Sequence, residues 1–461
     1  MSKSLELPDC LYPRPPIRVP PSAPTPKITL YLSNLDDQKF LRFSIKYLYL
    51  FKKSVSLDML KSSLSRVLVD YYPLAGRLMR SSIYHEDDDH HSKLEVDCNG
   101  EGALFAEAFM DLTAQELLEP SKTPNDSWRK LLYRVEAHSF LDVPPLVIQV
   151  TSLRCGGMIL CTAINHCICD GIGTSQFLHA WAQFTKDQKI NPTMTPFHWR
   201  HVLRSRDPPQ VKFTHPGYTR TKPTPQVDLR KLMQSQPLVA TTFTFGPSEV
   251  VRLKKQCVPL LRKQTTTFET IAAHTWRSWV KSLNLDPTLT VKLLFSVNVR
   301  KRMNLPEGYY GNGFVLACAE STVKNLITAN NNLRHGLKLI QEAKSILDED
   351  GYIMSMIDLL EDENMNLDVS TSLVISQWSR LGLEDLDFGE GKPMHMGPLT
   401  SGVYCLLLPV VGDANSVRVL VSVPESVVES FRHHMMIKES WDKDDEKNNI
   451  GGYHAQQNGC I

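Results

Sequence analysis

The stretch Met158-Ile-Leu-Cys-Thr-Ala-Ile-Asn165-His166-Cys-Ile-Cys-Asp170-Gly171-Ile-Gly173-Thr-Ser-Gln-Phe177 decides how the chain is read. Its first seven residues are almost wholly apolar and predict a buried strand. Leu146-Val-Ile-Gln-Val-Thr-Ser-Leu153 precedes it across Cys155-Gly-Gly157, so the two runs read as a hairpin. Glycines after Asp170 mark a sharp turn, and the residues beyond Gly173 read as a helix. An imidazole thus stands at the end of a rigid buried element, with its tip on a loop. A general base needs that kind of mount.

The spacing His-x-x-x-Asp is weak evidence by itself, since the chain has 15 histidines and His85…Asp89 and His138…Asp142 match it too. His85 lies in Tyr84-His-Glu-Asp-Asp-Asp-His-His-Ser92, a polar tract that reads as a solvated loop rather than a metal site. His138 lacks the glycines and the strand end. Context alone leaves two readings of His166 open, a catalytic base and a satisfied structural histidine.

Composition narrows the class. The chain has 461 residues, 42% hydrophobic and 22% charged, which are ordinary globular values and enough for two or three core-sized units. A formal net charge of +1 gives no ground for binding nucleic acid or an anionic membrane. Apolar runs such as Val403–Val411 are too short to span a bilayer. Lys3, Glu6 and Asp9 stand where a signal peptide would have an apolar core. Ten cysteines are scattered without a Cys-x-x-Cys pair. Together these features predict a soluble protein of a reducing, cytoplasmic compartment.

Strand and helix patterns alternate in both halves, so the expected class is α/β with two lobes. Phe43–Phe51 reads as a strand and Leu57–Leu68 as an amphipathic helix. Residues 1–190 form the expected N-terminal lobe. Residues 191–226, rich in proline and basic residues, read as a crossover linker. Residues 227–441 form the C-terminal lobe, with strands at 240–245, 291–300, 372–378, 402–411 and 416–423. Residues 442–461 read as a mobile polar tail.

Several stretches together resemble one family. His166-Cys-Ile-Cys-Asp170-Gly171 is similar to the His-x-x-x-Asp-Gly motif of the plant BAHD acyltransferases, and Asp387-Phe-Gly389-Glu390-Gly391 to their Asp-Phe-Gly-Trp-Gly motif. Tyr72-Pro-Leu-Ala-Gly-Arg77, Ala273-His-Thr-Trp-Arg277, Asn298-Val-Arg300, Gly308-Tyr-Tyr-Gly-Asn312 and Trp378-Ser-Arg-Leu381 agree as well. The resemblance runs from about residue 18 to residue 434. It implies two chloramphenicol-acetyltransferase-like domains, each a mixed sheet with helices, and a channel between them. Acyl-CoA as co-substrate would enter from one face and a small-molecule alcohol from the other, with His166 midway as the catalytic base. It implies no permanently bound cofactor, no metal and a monomer.

The resemblance also assigns lesser roles. Asp170 pairs with Arg300 as structure rather than as a proton relay, and Asp387 and Gly389 are scaffold. Ser376 and Trp378 line the acceptor side and offer oxyanion donors. Thr266 and Thr267 are candidates for donor contacts. Cys167 and Cys169 are weighed as nucleophiles and set aside, since neighbouring side chains on a tight turn rarely meet in the required geometry. Trp276 and Trp279 read as core. One departure stands out: Glu390 replaces the family's usual tryptophan, and a carboxylate buried there would need a partner or a proton.

Leu32-Ser-Asn-Leu-Asp36, Arg206-Asp-Pro-Pro209 and Gly311-Asn-Gly313 look most like members that transfer hydroxycinnamoyl groups to fatty alcohols or omega-hydroxy acids. The acidic stretch Glu361-Asp-Glu363 stands where shikimate- and quinate-acylating members carry an arginine, which predicts an uncharged acceptor. The alternative is a non-catalytic BAHD-like accessory protein of fatty-acid elongation and cuticular wax formation, kept open by Glu390.

Overall fold

The computed structural model describes residues 6–81, 93–118, 124–190, 193–220, 229, 235–257, 265–328, 333–399, 402 and 404–436. The His85 tract, the last residues of the expected linker and the expected tail lie outside them.

Two six-stranded mixed sheets organise the chain. Strand Met158–Asn165 is buried at every position, because both its faces are covered: Met158, Leu160 and Ile164 pack into one apolar cluster and Ile159, Cys161 and Ala163 into another, while its edges pair with Leu146–Leu153 and Ser44–Phe51. That is why its sequence is continuously apolar instead of alternating. The hairpin turns at Gly156, whose φ of 81° suits a residue without a Cβ. Ala103–Met110 runs parallel to Leu146–Leu153, and Ile17–Val19 pairs beyond it.

The second sheet has the order Leu238–Phe245, Asp413–Pro424, Tyr404–Val410, Ser372–Gln377, Thr290–Asn298, Phe314–Thr322. Two of its pairings are parallel, Thr290–Asn298 with Ser372–Gln377 and Ser372–Gln377 with Tyr404–Val410. Helix Thr267–Ser282 lays Trp276 and Trp279 into the core behind this sheet.

Two features differ from the sequence reading. Strand His395–Pro398, within the span assigned to the C-terminal lobe, pairs antiparallel with Ser44–Phe51 and completes the first sheet. Buried Arg418 of the second sheet donates to the Met396 carbonyl at 2.7 Å and ties that strand back. A four-residue strand has no local signal for which sheet it joins. The linker is also more than a connector. Arg200, within it, is fully buried, and Phe197 bridges to Tyr309.

Asp170 caps helix Gly171–Lys186, its carboxylate accepting the Gly173 amide at 2.9 Å. The helix packs on Leu57–Asp70, and the buried Trp181 indole donates to the Leu60 carbonyl at 3.1 Å. Glycine is needed at 173 by close approach: a Cβ there would stand 1.9 Å from the Tyr310 carbonyl oxygen. At Gly171 the nearest obstacle is a methyl of Leu381, 2.9 Å away on a flexible side chain. Gly173→Ala is therefore expected to lower stability by about 3 kcal/mol or more, and Gly171→Ala by clearly less. Thermal melting of the two variants checks the order; equal melting temperatures would show that the helix start yields freely.

Candidate active site

His166 stands where the turn leaves the first sheet. Its amide donates to the Phe43 carbonyl at 2.9 Å, and its carbonyl accepts from the Asn312 side chain at 2.7 Å. Phe43 and Phe314 flank the ring with centroids at 5.4 and 5.9 Å. The backbone is thus held from both lobes and the imidazole lies between two aromatic walls.

Two cavities open onto this ring. One, of about 370 Å³, has a mostly apolar lining that includes Phe40, Phe43, Leu316, Val374 and Leu406. The other, of about 250 Å³, is more polar, with Asn298, Gln377 and Arg380 in its wall. His166, Ser296, Phe314, Ser376 and Trp378 line both. Trp378 is stacked on Tyr47 at 4.9 Å with nearly parallel rings. Ser296 lies 3.4 Å from Ser376, hydroxyl to hydroxyl. The sequence reading passed over Ser296. Its only signal was a hydroxyl in the apolar part of a strand, at Leu293-Leu-Phe-Ser296-Val.

Burial holds the His166 imidazole below its ordinary pKa. Its own backbone, the Asp170 carboxylate and the Asn312 amide oppose the shift without cancelling it. The ring is therefore neutral near pH 7 and able to accept a proton.

Asp170 faces the second lobe. Its two oxygens accept two bonds from Arg300, each at 2.9 Å, and further bonds from the amides of Gly173 at 2.9 Å and Gly313 at 3.1 Å. Arg300 also donates to the carbonyls of Tyr309 and Gly311. The carboxylate is fully occupied with these partners.

A second buried set was legible only in part. Asp36 accepts from the backbone and side chain of Asn312 at 2.8 and 3.0 Å, and from Ser33. Arg200 lies 3.7 Å from Asp36, both fully buried, and donates to the Ile168 carbonyl at 2.9 Å. The sequence reading quoted Asp36 and Asn312 as resemblance and gave them no role.

Other singled-out residues lie apart from His166. Thr266 caps helix Thr267–Ser282, in a capping box with Glu269, and neither Thr266 nor Thr267 lines the two cavities. Asp387 accepts the amides of Gly389 and Gly391 and lies 3.2 Å from Lys186. Gly389 there has a φ of 112°, a conformation that favours glycine. Glu390 is exposed, 3.4 Å from Lys53, so the carboxylate needs no buried partner. Phe388 takes the buried place of that loop, its ring 5.0 Å from Trp181.

The acidic stretch does not bear on the acceptor. Glu361-Asp-Glu363 lines neither cavity. Burial pushes the Glu361 carboxyl up, but bonds from Asn34, Lys93 and Ser205 outweigh it and hold the group at about 2. The argument from repulsion at this stretch therefore falls. Burial also pushes the Cys167 and Cys169 thiols up, Cys169 to about 12, which makes them poor nucleophiles near neutral pH.

Sequence and structure comparisons agree with this geometry. Residues 17–437 match the model of a family described as the Transferase family. An omega-hydroxypalmitate O-feruloyl transferase of Arabidopsis thaliana is 33% identical over 92% of this chain and 93% of its own length. A fatty alcohol:caffeoyl-CoA acyltransferase of the same plant is 34% identical over 92% of this chain and 97% of its own. A benzyl alcohol O-benzoyltransferase of Petunia hybrida is 36% identical over 84% of this chain and 83% of its own. The fold is that of vinorine synthase, with a TM-score of 0.67 at 21% identity over 90% of this chain and 95% of that one. It is also that of F. graminearum TRI101 complexed with coenzyme A and T-2 mycotoxin, with a TM-score of 0.71 at 15% identity over 90% and 98%. With an imidazole at the meeting of two cavities, and with relatives of this kind along nearly its whole length, the chain belongs to the BAHD-type transferase family and is an acyltransferase.

Proposed function

We propose that the protein moves an acyl group from a coenzyme A thioester to the hydroxyl of an alcohol, with His166 as general base. The position of His166, open to two cavities of different polarity, carries this reading. The apolar cavity suits the acyl group and the carbon chain of the alcohol. The more polar cavity suits the amide-rich arm of coenzyme A. Relatives named for feruloyl, caffeoyl and benzoyl transfer support an aromatic acyl group.

An alcohol must lose its proton as it attacks the thioester carbonyl. The neutral imidazole takes that proton, and the resulting imidazolium returns it to the leaving thiolate. Charge grows on the carbonyl oxygen in the tetrahedral intermediate. Ser376, Ser296 and Trp378 line both cavities, which supports a role for them as donors to it. Transfer is direct, because the raised thiols of Cys167 and Cys169 leave no activated nucleophile beside the base. Glu390, the ground for an accessory role, sits at the surface and touches none of this.

The reaction calls for both substrates together, in a compartment where thiols stay reduced. The described cysteines are all free, in keeping with that setting. Among the described residues no helix is long and apolar enough to cross a membrane.

The test is to offer purified protein a panel of acyl-CoA donors and alcohols, following free thiol and product mass. His166→Ala should lower turnover by about two to four orders of magnitude with the fold intact. Near-wild-type turnover in that variant would sink the general-base role. The pH profile follows from burial. The base must be neutral, and its pKa is lowered, so kcat/KM should stay flat on the acid side down to below about 6.5, the ordinary histidine value. An acid limb above that value would contradict the assignment. Asp170→Asn removes a charge from a satisfied pair and leaves Arg300 half-partnered, so a loss of about 3–5 kcal/mol is expected together with activity. Unchanged melting with a purely catalytic defect would point to proton relay instead.

A further inference from the structure

We propose that Asn312 is a positioning residue that fixes the tautomer of the base: its side-chain oxygen calls for a proton on His166 Nδ1 and so leaves the lone pair on Nε2. The proposal rests on the acyltransfer reading above and concerns how the imidazole is prepared for that step. Asn312 is fully buried, in the Gly311-Asn-Gly313 turn that leads into strand Phe314–Thr322. Its amide nitrogen has two hydrogens and spends both, one on Asp36 Oδ1 at 3.0 Å and one on the His166 carbonyl at 2.7 Å. The amide cannot be turned over, because its oxygen would then stand against that carboxylate and that carbonyl. The side-chain oxygen is therefore fixed in place, and it is buried without a hydrogen bond.

His166 supplies the matching orphan. Its Nδ1 is also buried without a hydrogen bond. Two orphans on residues already bonded to each other account for one another when the proton is on Nδ1. With the proton on Nε2, two bare acceptors would share the same buried space. The His166 carbonyl can reach only Nδ1 of its own ring, and it favours the same choice. The ring then meets the cavities through Nε2, whose lone pair is free to take the alcohol's proton. The opposite tautomer would present an N–H to the alcohol and could not act as its base.

The charged groups around the ring are otherwise committed. Asp170 is held by Arg300 and by the amides of Gly173 and Gly313. Asp36 is held by Ser33 and Asn312, with Arg200 at 3.7 Å. Both carboxylates favour the charged ring through space. Among the described residues, Asn312 alone sends a side-chain hydrogen bond to His166. Its oxygen remains an acceptor for Nδ1–H when the imidazolium forms, so it favours the charged ring as well.

The experiment reads the tautomer directly, by the ring nitrogen NMR shifts of protein labelled with 15N-histidine. The His166 signals are identified by their loss in His166→Ala. Wild type should show Nδ1–H in the neutral ring, and Asn312→Ala should populate the Nε2–H form. The same variant should lose about tenfold to a hundredfold in kcat, less than loss of the base itself, with both KM values little changed. Its acid limb in kcat/KM should move to lower pH, because a group that favours the charged ring is gone. Exchanging the pair, Asp36→Asn with Asn312→Asp, keeps a hydrogen bond between the two positions and puts a carboxylate beside the ring. That limb should move to higher pH. Gly173→Ala, which strains the same turn without touching the ring, should melt earlier and leave the tautomer and the limb where they were. Nε2–H in the wild type would overturn the proposal. So would an Asn312→Ala protein that loses stability and activity yet keeps Nδ1–H and its acid limb. If Asn312→Ala does not fold, the wild-type spectrum decides. Acyl transfer that depends on His166 in the presence of the wrong tautomer would leave the acyltransfer reading standing and remove only the role of Asn312. Absence of transfer by folded wild type from every donor would remove that reading and with it the need for a prepared base.

Discussion

The bidentate contact between Asp170 and Arg300 is the constraint on which the site depends. Asp170 leaves the first sheet four residues after His166, and Arg300 follows strand Thr290–Asn298 of the second. A buried carboxylate is costly unless its lone pairs are taken. Here Arg300 and the amides of Gly173 and Gly313 take them. One side chain therefore caps the helix after the His166 turn and pins that turn to the opposite lobe. The imidazole is placed relative to both sheets at once, which a site shared between two bodies requires.

The proline-rich crossing adds a second tie. Arg200 stacks over Tyr310 at 4.5 Å while it faces Asp36, and Asp36 in turn orders Asn312. Asn312 then holds the His166 carbonyl. Four separate parts of the chain thus converge behind the His166 ring. A guanidinium this deep is held by charge, by aromatic faces and by the Ile168 carbonyl together. Composition alone marked this segment as a passive connector, because proline and basic residues are also what exposed linkers contain.

Charge was the least transferable part of the sequence reading. Glu390 raised a question about local packing, yet its side chain is at the surface beside Lys53. Glu361 was read as a barrier to anionic acceptors, yet its carboxylate is committed to Asn34, Lys93 and Ser205, away from both cavities. Lys46, in the sequence only an alternating polar position of a strand, is among the residues that line the apolar cavity. A residue's ionisation is written in its type, but the face it presents depends on register and on what packs beside it.

The sequence by itself determined the α/β class, the hairpin that delivers His166 and the helix after Gly173, because these follow from local periodicity and glycine placement. It also identified the family, because motifs in a fixed order along most of the chain are a joint signal. It missed strands Ala103–Met110 and Phe314–Thr322. The tertiary structure alone decided that His395–Pro398 completes the first sheet, that Ser296 meets Ser376, and that Thr266 spends its hydroxyl on a helix cap. It also separated the space around His166 into an apolar and a polar cavity. These depend on pairings between residues far apart in the chain, whose energies are set by packing and partner geometry and leave no trace in a local window.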